Sequence, residues 1–195
     1  MCIRDSKYMV AQATQGFADA IAEGGEEAKK RGVAIAYDVR HKSLEFSKIA
    51  AEVFAANGIK VYIHKDIEPT PVCSFTIREL GCVAGVMVTA SHNPREYNGY
   101  KAYNEEGSQI MDETANKILS YIGDHPDFFE IPRIDFEEGL KDGIIEYVPD
   151  EVIEKYISLI LNCTINAVSY THLRAHETVL DLVCRLLLEK KKKKK

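Results

Sequence analysis

"MVTASHNPREYNGYKAYN", Met87–Asn104, closes an apolar run that begins at Val83 and breaks after Val88 into small, polar and turn-forming residues. An unbroken run such as Val83–Val88 is the pattern of a strand buried on both faces, as in a parallel sheet covered by helices. Pro94 stops that strand. Asn98-Gly99 permits a tight turn, and "GYKAYN" predicts a short return strand with Tyr100 and Ala102 on one face. In open α/β sheets, ligands sit beyond the carboxyl ends of the strands, which is where Ser91 stands. Thr89 and Ala90 are small and leave its hydroxyl accessible, while the turn carries Lys101 back toward the same loop. A hydroxyl (Ser91), an imidazole (His92) and an ammonium (Lys101) can converge there. A polar turn with a capping serine fits the same spacing.

Working outward, strands alternate with helices. "KYMVAQATQGFADAIAEGG" carries Val10, Ala13, Phe17, Ala20 and Ile21 at helical spacing, with Gly24-Gly25 as the stop. Val33–Tyr37 is a short apolar strand ending at Asp38. "SLEFSKIAAEVFAANG" predicts a helix capped by Ser43, with Leu44, Ile49, Val53 and Phe54 on its inner face and Asn57-Gly58 at its end. "IKVYIH" reads as a strand, "EPTP" as a loop, "VCSFTIRELG" as a helix and "VAGVMVT" as the strand entering the Ser91 loop. "MDETANKILSYIGDH" predicts a helix opened by Asp112, with Ile118, Leu119 and Ile122 inward. Pro126–Pro149 is acidic and weakly patterned, as suits a peripheral excursion. "PDEVIEKYISLIL" predicts a last helix with Pro149 near its first turn. The order implies an α/β fold built on a mixed, mainly parallel sheet.

The two ends read differently from the rest. ATG TGT ATA AGA GAC AG encodes Met1–Asp5 and begins Ser6. Its reverse complement contains GTC TCT TAT ACA CAT, which encodes Val168–His172. Two ends of one protein have no physical reason to be written on complementary strands. Residues 1–6 and 167–195, including the closing lysines, are therefore expected to be translated transposase-type sequencing adapter and are set aside. A natural basic tail is the alternative. The expected organisation is one α/β domain over residues 7–148 and a helix at 149–166 that leads toward a second domain.

The ends hold nine of the 25 Lys/Arg and four of the 30 Asp/Glu, which leaves residues 7–166 with 16 against 26, a net of −10. So acidic a segment is a poor general partner for a polyanion, which disfavours nucleic acid. No apolar run approaches the ~20 residues that span a bilayer, which argues against a membrane segment. Five cysteines without C-x-x-C spacing suit free thiols in a reducing, cytoplasmic compartment.

Other chemistry-bearing residues are fewer. Arg40 and His41 follow Asp38 at the carboxyl end of the first central strand and can face the same crevice. Alternatively, Asp38 and Ser43 cap the next helix and Arg40 is solvated. His64 and His125 are lone histidines expected to be structural or exposed, and Cys73 and Cys82 suit core packing. The acidic "IDFEEGLKDG" reads as a solvated face. Residues 7–166 contain no Asp-x-Asp motif and no carboxylate cluster at metal-ligand spacing.

"TASHNP" followed by "EYNGYK" resembles the phosphoserine loop of the α-D-phosphohexomutase superfamily. "AYDVRHKS", "EPTP" and "TASHNPREYNGYKAYNEEGSQI" follow the order of that family's first domain, and the resemblance covers Lys7 to about Asn166. It is nearest to the bacterial phosphoglucomutase group that includes phosphopentomutase-like enzymes. Arg95 departs from the pattern, since a second proline is common there.

The resemblance implies a three-layer α/β/α domain whose Ser91 carries a phosphoryl group and exchanges it with a sugar phosphate through a bisphosphate intermediate. It implies that Lys101, and secondarily His92, handle protons or developing charge, and that Arg40 orients the loop. It further implies Mg²⁺, reached through Ser91, with the remaining ligands in a second domain. The family's metal loop, sugar-reading loop and phosphate clamp do not match any part of this sequence. The chain is thus expected to be a fragment, inactive alone, of a mutase working between C1 and C6 (or C5) of a hexose or pentose phosphate. The alternatives are a non-catalytic phosphate- or nucleotide-binding α/β module and a serine hydrolase. The Gly-rich loops of the first are missing. Adjacent Ser91 and His92 point apart on an extended segment and lack a G-x-S-x-G elbow, which weakens the second.

Overall fold

Val33–Tyr37 has no exposed residue, and its alternating side chains sort the molecule into layers. Val33, Ile35 and Tyr37 belong to one apolar cluster with Val10, Phe17, Phe46, Val53 and Phe54. Ala34 and Ala36 belong to a second, with Cys73, Ile77, Met87 and Tyr103. Period-two alternation on a strand covered from both sides gives this division directly.

A computed structural model describes residues 2–3, 6–124 and 129–163. In chain order the elements are β1 Cys2–Ile3, α1 Lys7–Ala22, α2 Gly25–Arg31, β2 Val33–Tyr37, α3 Ser43–Ala56, β3 Val61–Ile63, α4 Thr70–Leu80, β4 Ala84–Val88, β5 Asn98–Asn104, α5 Asp112–Asp124, α6 Phe136–Lys141, β6 Ile145–Tyr147 and α7 Asp150–Asn162. The sheet order is β1-β5-β4-β2-β3-β6. Strands β4, β2, β3 and β6 are parallel, β5 runs antiparallel to β4, and β1 pairs antiparallel with β5. The expected three-layer α/β/α arrangement with a mixed, mainly parallel sheet is therefore present. Helices α1 and α3 cover one face and α4 the other.

The α4 face is built from small residues so that the helix can come close. A Cβ on Gly85 would lie 2.3 Å from Ile77 Cδ1 and 3.2 Å from the Ala34 carbonyl oxygen. Only a glycine fits that contact without a shift.

The structure corrects four sequence expectations. Ser43 is the first residue of α3 rather than its cap, a place taken by Lys42 in a left-handed conformation. Leu44 is 47% exposed and Phe46 is 1% exposed. Ile49, Val53 and Phe54 are buried as expected; Leu44 falls off that face because five residues carry it about 140° around the helix from Ile49. Leu119 is likewise exposed, while Ile118 is buried. The acidic stretch after Pro126 is no excursion: it supplies α6 and then β6, which pairs in parallel with β3 from Val61↔Ile145 to Ile63↔Tyr147. Cys2–Ile3, in the segment set aside above, pairs with Asn98–Gly99 at the opposite edge. That placement says where the chain runs and nothing of how its codons arose.

The chain divides into two units, Met1–Val148 and Pro149–Lys195. In the second, Pro149 caps α7, whose first turn carries Asp150 and Glu151. Acidic residues there complement the positive end of the helix dipole.

Candidate active site

β2, β4 and β3 run parallel, so their carboxyl ends share one edge of the sheet. Asp38 follows β2, and the loop Thr89–Tyr97 follows β4. β5 returns antiparallel, with Lys101 opposite Met87 and Tyr100 opposite Val88. This register aims Lys101 at the loop. Its ammonium Nζ donates to Ser91 Oγ across 2.5 Å, and Ser91 is exposed. The convergence of hydroxyl and ammonium anticipated from the spacing is thus present.

Ser91 has φ 56°, one of two non-glycine residues in the left-handed region among the described residues. Such a conformation at a non-glycine residue is uncommon and is kept only where the surroundings determine it. Here they do. The Ser91 N–H donates to Thr89 Oγ1 at 3.1 Å, and the Thr89 hydroxyl donates to Asp38 Oδ2 at 2.6 Å.

Arg40 fixes the rest of the loop. Its Nη1 donates to the carbonyl oxygens of Asn93 (2.7 Å), Pro94 (2.8 Å) and Tyr97 (3.3 Å), and its Nη2 donates to that of Ser91. Its Nε meets Asp38 Oδ2 at 3.0 Å, and the side chain is 8% exposed. The alternative of a solvated Arg40 is thereby overturned. A planar five-donor guanidinium can hold four carbonyls and a carboxylate in fixed geometry, more than a three-donor ammonium can serve. His41 presents its backbone instead: its N–H donates to Arg95 O at 3.2 Å, and its carbonyl accepts from Asn98 Nδ2 at 3.0 Å. His92 is exposed in the loop.

The remaining sequence candidates lie elsewhere. His64 is buried, and its Nε2 is 3.0 Å from Thr76 Oγ1. Burial lowers its pKa to about 4. Cys73 and Cys82 are both buried, and burial pushes each thiol up to about 12. His125 lies outside the described residues. Among the described residues no group of three or more His, Cys, Asp or Glu is placed to hold a metal ion.

Three residues mattered more than the sequence suggested. Asp38 was legible only as a helix cap, Thr89 only as a small neighbour, and Asn98 only as half of a turn. Asn98 is fully buried, and its Nδ2 also reaches Ser43 Oγ at 2.9 Å. A carboxylate directly after a buried parallel strand was the available signal for Asp38.

A family model described as phosphoglucomutase/phosphomannomutase, alpha/beta/alpha domain I, matches residues 4–126. A phosphoglucomutase of Staphylococcus epidermidis is 38% identical over 155 residues, 78% of this chain and 27% of its own length. A human phosphopentomutase is 41% identical over 114 residues, 55% of this chain and 19% of its own length. The fold is shared with a phosphoglucomutase/phosphomannomutase family protein from Burkholderia thailandensis, at TM-score 0.61 and 22% identity over 81% of this chain and 32% of that one. This chain spans 27–34% of the length of the Staphylococcus phosphoglucomutases it matches.

Proposed function

The chain belongs to the phosphoglucomutase/phosphomannomutase family through its α/β/α domain I, and on that premise we propose that Ser91 is the phosphoryl carrier of a sugar-phosphate mutase. The single observation that supports this most is the 2.5 Å contact between Lys101 Nζ and the exposed Ser91 Oγ. Phosphoryl transfer leaves a protein little to do beyond positioning and charge neutralisation. A fixed cation on the bridging oxygen does both.

In the forward transfer the bond from phosphorus to Ser91 Oγ breaks and a bond from phosphorus to a sugar hydroxyl oxygen forms. Lys101 gives Oγ a proton as it leaves, and the proton of the sugar hydroxyl passes to His92. The product is a sugar bisphosphate. Its other phosphate then returns to Ser91 by the same exchange in reverse, which moves the phosphoryl group between C1 and C6, or C5, of a hexose or pentose. Arg40 touches no reacting atom and holds the loop in register. Among the described residues no imidazole bonds Ser91 Oγ, which gives the hydrolase alternative no support.

Mg²⁺ fits these residues only in part. The described chain has no carboxylate cluster for it, and an ammonium already faces the serine oxygen. Phosphoryl oxygens on Ser91 could supply one ligand, with the others from chain outside this domain. The ion would add charge neutralisation at the transferring group. The 195-residue chain alone is proposed to be inactive, its ends beyond residues 7–166 to be foreign, and the full-length enzyme to work in the cytoplasm. The test is Ser91→Ala in the full-length enzyme that carries this domain. Loss of mutase turnover with glucose 1-phosphate and a bisphosphate activator is expected. Turnover near wild type overturns the assignment.

A further inference from the structure

The Ser91 peptide is gripped on both sides by groups that converge on one carboxylate. On the amino side its N–H rests on Thr89 Oγ1, whose own proton is given to Asp38 Oδ2 at 2.6 Å. On the carbonyl side its oxygen accepts from Arg40 Nη2, while Arg40 Nε is held by the same Asp38 Oδ2 at 3.0 Å. The other carboxylate oxygen, Oδ1, accepts from the Arg40 backbone N–H and from Ser43 Oγ, each at 3.1 Å. That fastens the carboxylate to the start of α3. Asp38 is thus anchored on rigid elements and reaches the loop by two arms. The hydroxyl arm also has a fixed direction. Because Thr89 gives its single proton to Asp38, its oxygen is left to accept from Ser91. An amide in place of Asp38 has one accepting oxygen for donors that now sit on two, so at least one arm loses its acceptor.

We infer that Asp38 is a positioning residue that, through Thr89 and Arg40, holds Ser91 in its left-handed conformation with Oγ presented to Lys101. The inference rests on Ser91 being the phosphoryl carrier for its functional meaning, but the geometry can be tested without any phosphoryl transfer. A two-sided grip of this kind preorganises the reacting oxygen. It also explains how a non-glycine residue keeps a positive φ at a loop tip.

The experiment is amide hydrogen exchange by NMR on the ¹⁵N-labelled full chain and on the Asp38→Asn, Thr89→Val and Thr89→Ser variants. Thr89→Val keeps the shape and removes the hydroxyl; Thr89→Ser keeps the hydroxyl. In Asp38→Asn and Thr89→Val the Ser91 amide is expected to exchange about tenfold faster or more, relative to Val86 in the core strand of the same sample. Thr89→Ser is expected to stay within about threefold of the parent chain. Unchanged exchange at Ser91 in either Asp38→Asn or Thr89→Val overturns the inference. So does a Val86 amide that accelerates in step with Ser91, which would mark general loosening, and so does Thr89→Ser exchanging as fast as Thr89→Val. A failed Ser91→Ala test in the full-length enzyme would instead remove the phosphoryl role and leave these exchange results standing.

Discussion

Lys101 lies on β5 and Ser91 in the loop that joins β4 to β5, and the ammonium of one bonds the hydroxyl of the other at 2.5 Å. The pairing of Lys101 with Met87 makes this contact a consequence of register. A strand slip of one residue would send Lys101 to the other face of the sheet. The cation is therefore held by the same hydrogen bonds that build the sheet, and the proposed phosphoryl transfer would need little motion of it.

Replacing that cation tests its role directly. Lys101→Met keeps the stem and removes the charge. In the full-length enzyme, kcat should fall on the order of 10²-fold or more, as when one fixed electrostatic donor is lost. Thermal unfolding should change little, because the ammonium is at the surface. Steady-state kinetics beside a melting curve checks both halves.

A backbone prediction concerns Gly32, which joins α2 to β2 at φ 71° and ψ −165°. A Cβ there would lie 2.3 Å from the Lys60 carbonyl oxygen. That dihedral pair is open essentially to glycine alone, and strain of about 1–3 kcal/mol accompanies other residues. Gly32→Ala should lower the unfolding free energy by at least that much, with the backbone clash added, and so lower the denaturant midpoint. An unchanged midpoint would contradict the placement of β2 against β3.

His64 gives the fold a pH dependence with a definite sign. It is 3% exposed, and burial lowers its pKa from 6.5 to about 4. Above pH 6.5 both folded and unfolded chains hold it neutral, and its contribution is constant. Between pH 6.5 and about 4 the unfolded chain takes up a proton that the folded chain refuses. Stability is lost through that window at up to ~1.4 kcal/mol per pH unit, or roughly 3 kcal/mol in all. His64→Gln should flatten the slope of unfolding free energy against pH in this range relative to the parent chain. The carboxylates common to both proteins cancel in the difference.

The buried thiols should be silent while the chain is folded. Burial raises Cys73 and Cys82 to about 12, and thiolate is the reactive form. Alkylation at pH 8 followed by peptide mapping should leave both unmodified in native buffer and label both in denaturant. Cys163 is exposed and should label in either.

What the sequence revealed, and what it withheld, follows physical lines. β2 and β4 were legible because strands covered on both faces are continuously apolar. The Ser91 loop was legible because small and turn-forming residues interrupt such a run abruptly. β6 was not, since only Ile145 of its three residues is buried and Glu146 instead pairs with Lys60 at 2.5 Å. An edge strand with one inward side chain carries almost no periodic signal. On α3 the inward Ile49, Val53 and Phe54 were legible from their spacing, whereas Leu44 is exposed because it lies about 140° around the helix from Ile49. Asp38, Thr89 and Asn98 were undervalued for a different reason. Their work is hydrogen bonding across more than fifty residues of chain, and local spacing cannot show a partner so distant.

Arg40 offers the last test, because its four carbonyl partners bind the loop to itself and to Asp38. Arg40→Lys keeps the charge but replaces a rigid fork with three donors on a flexible stem, so some of those carbonyls must turn to water. The loop is exposed, whereas β2 and β4 beneath it are fully buried. Loosening should therefore stay local. Glu96 sits within the loop, and a glutamate-specific protease should nick the variant there at least about tenfold faster than the parent, since cleavage of a folded chain tracks local opening. Far-ultraviolet circular dichroism should match between the two. Equal cleavage rates at Glu96 would mean that the loop keeps its shape without the guanidinium, and Arg40 would then need another role.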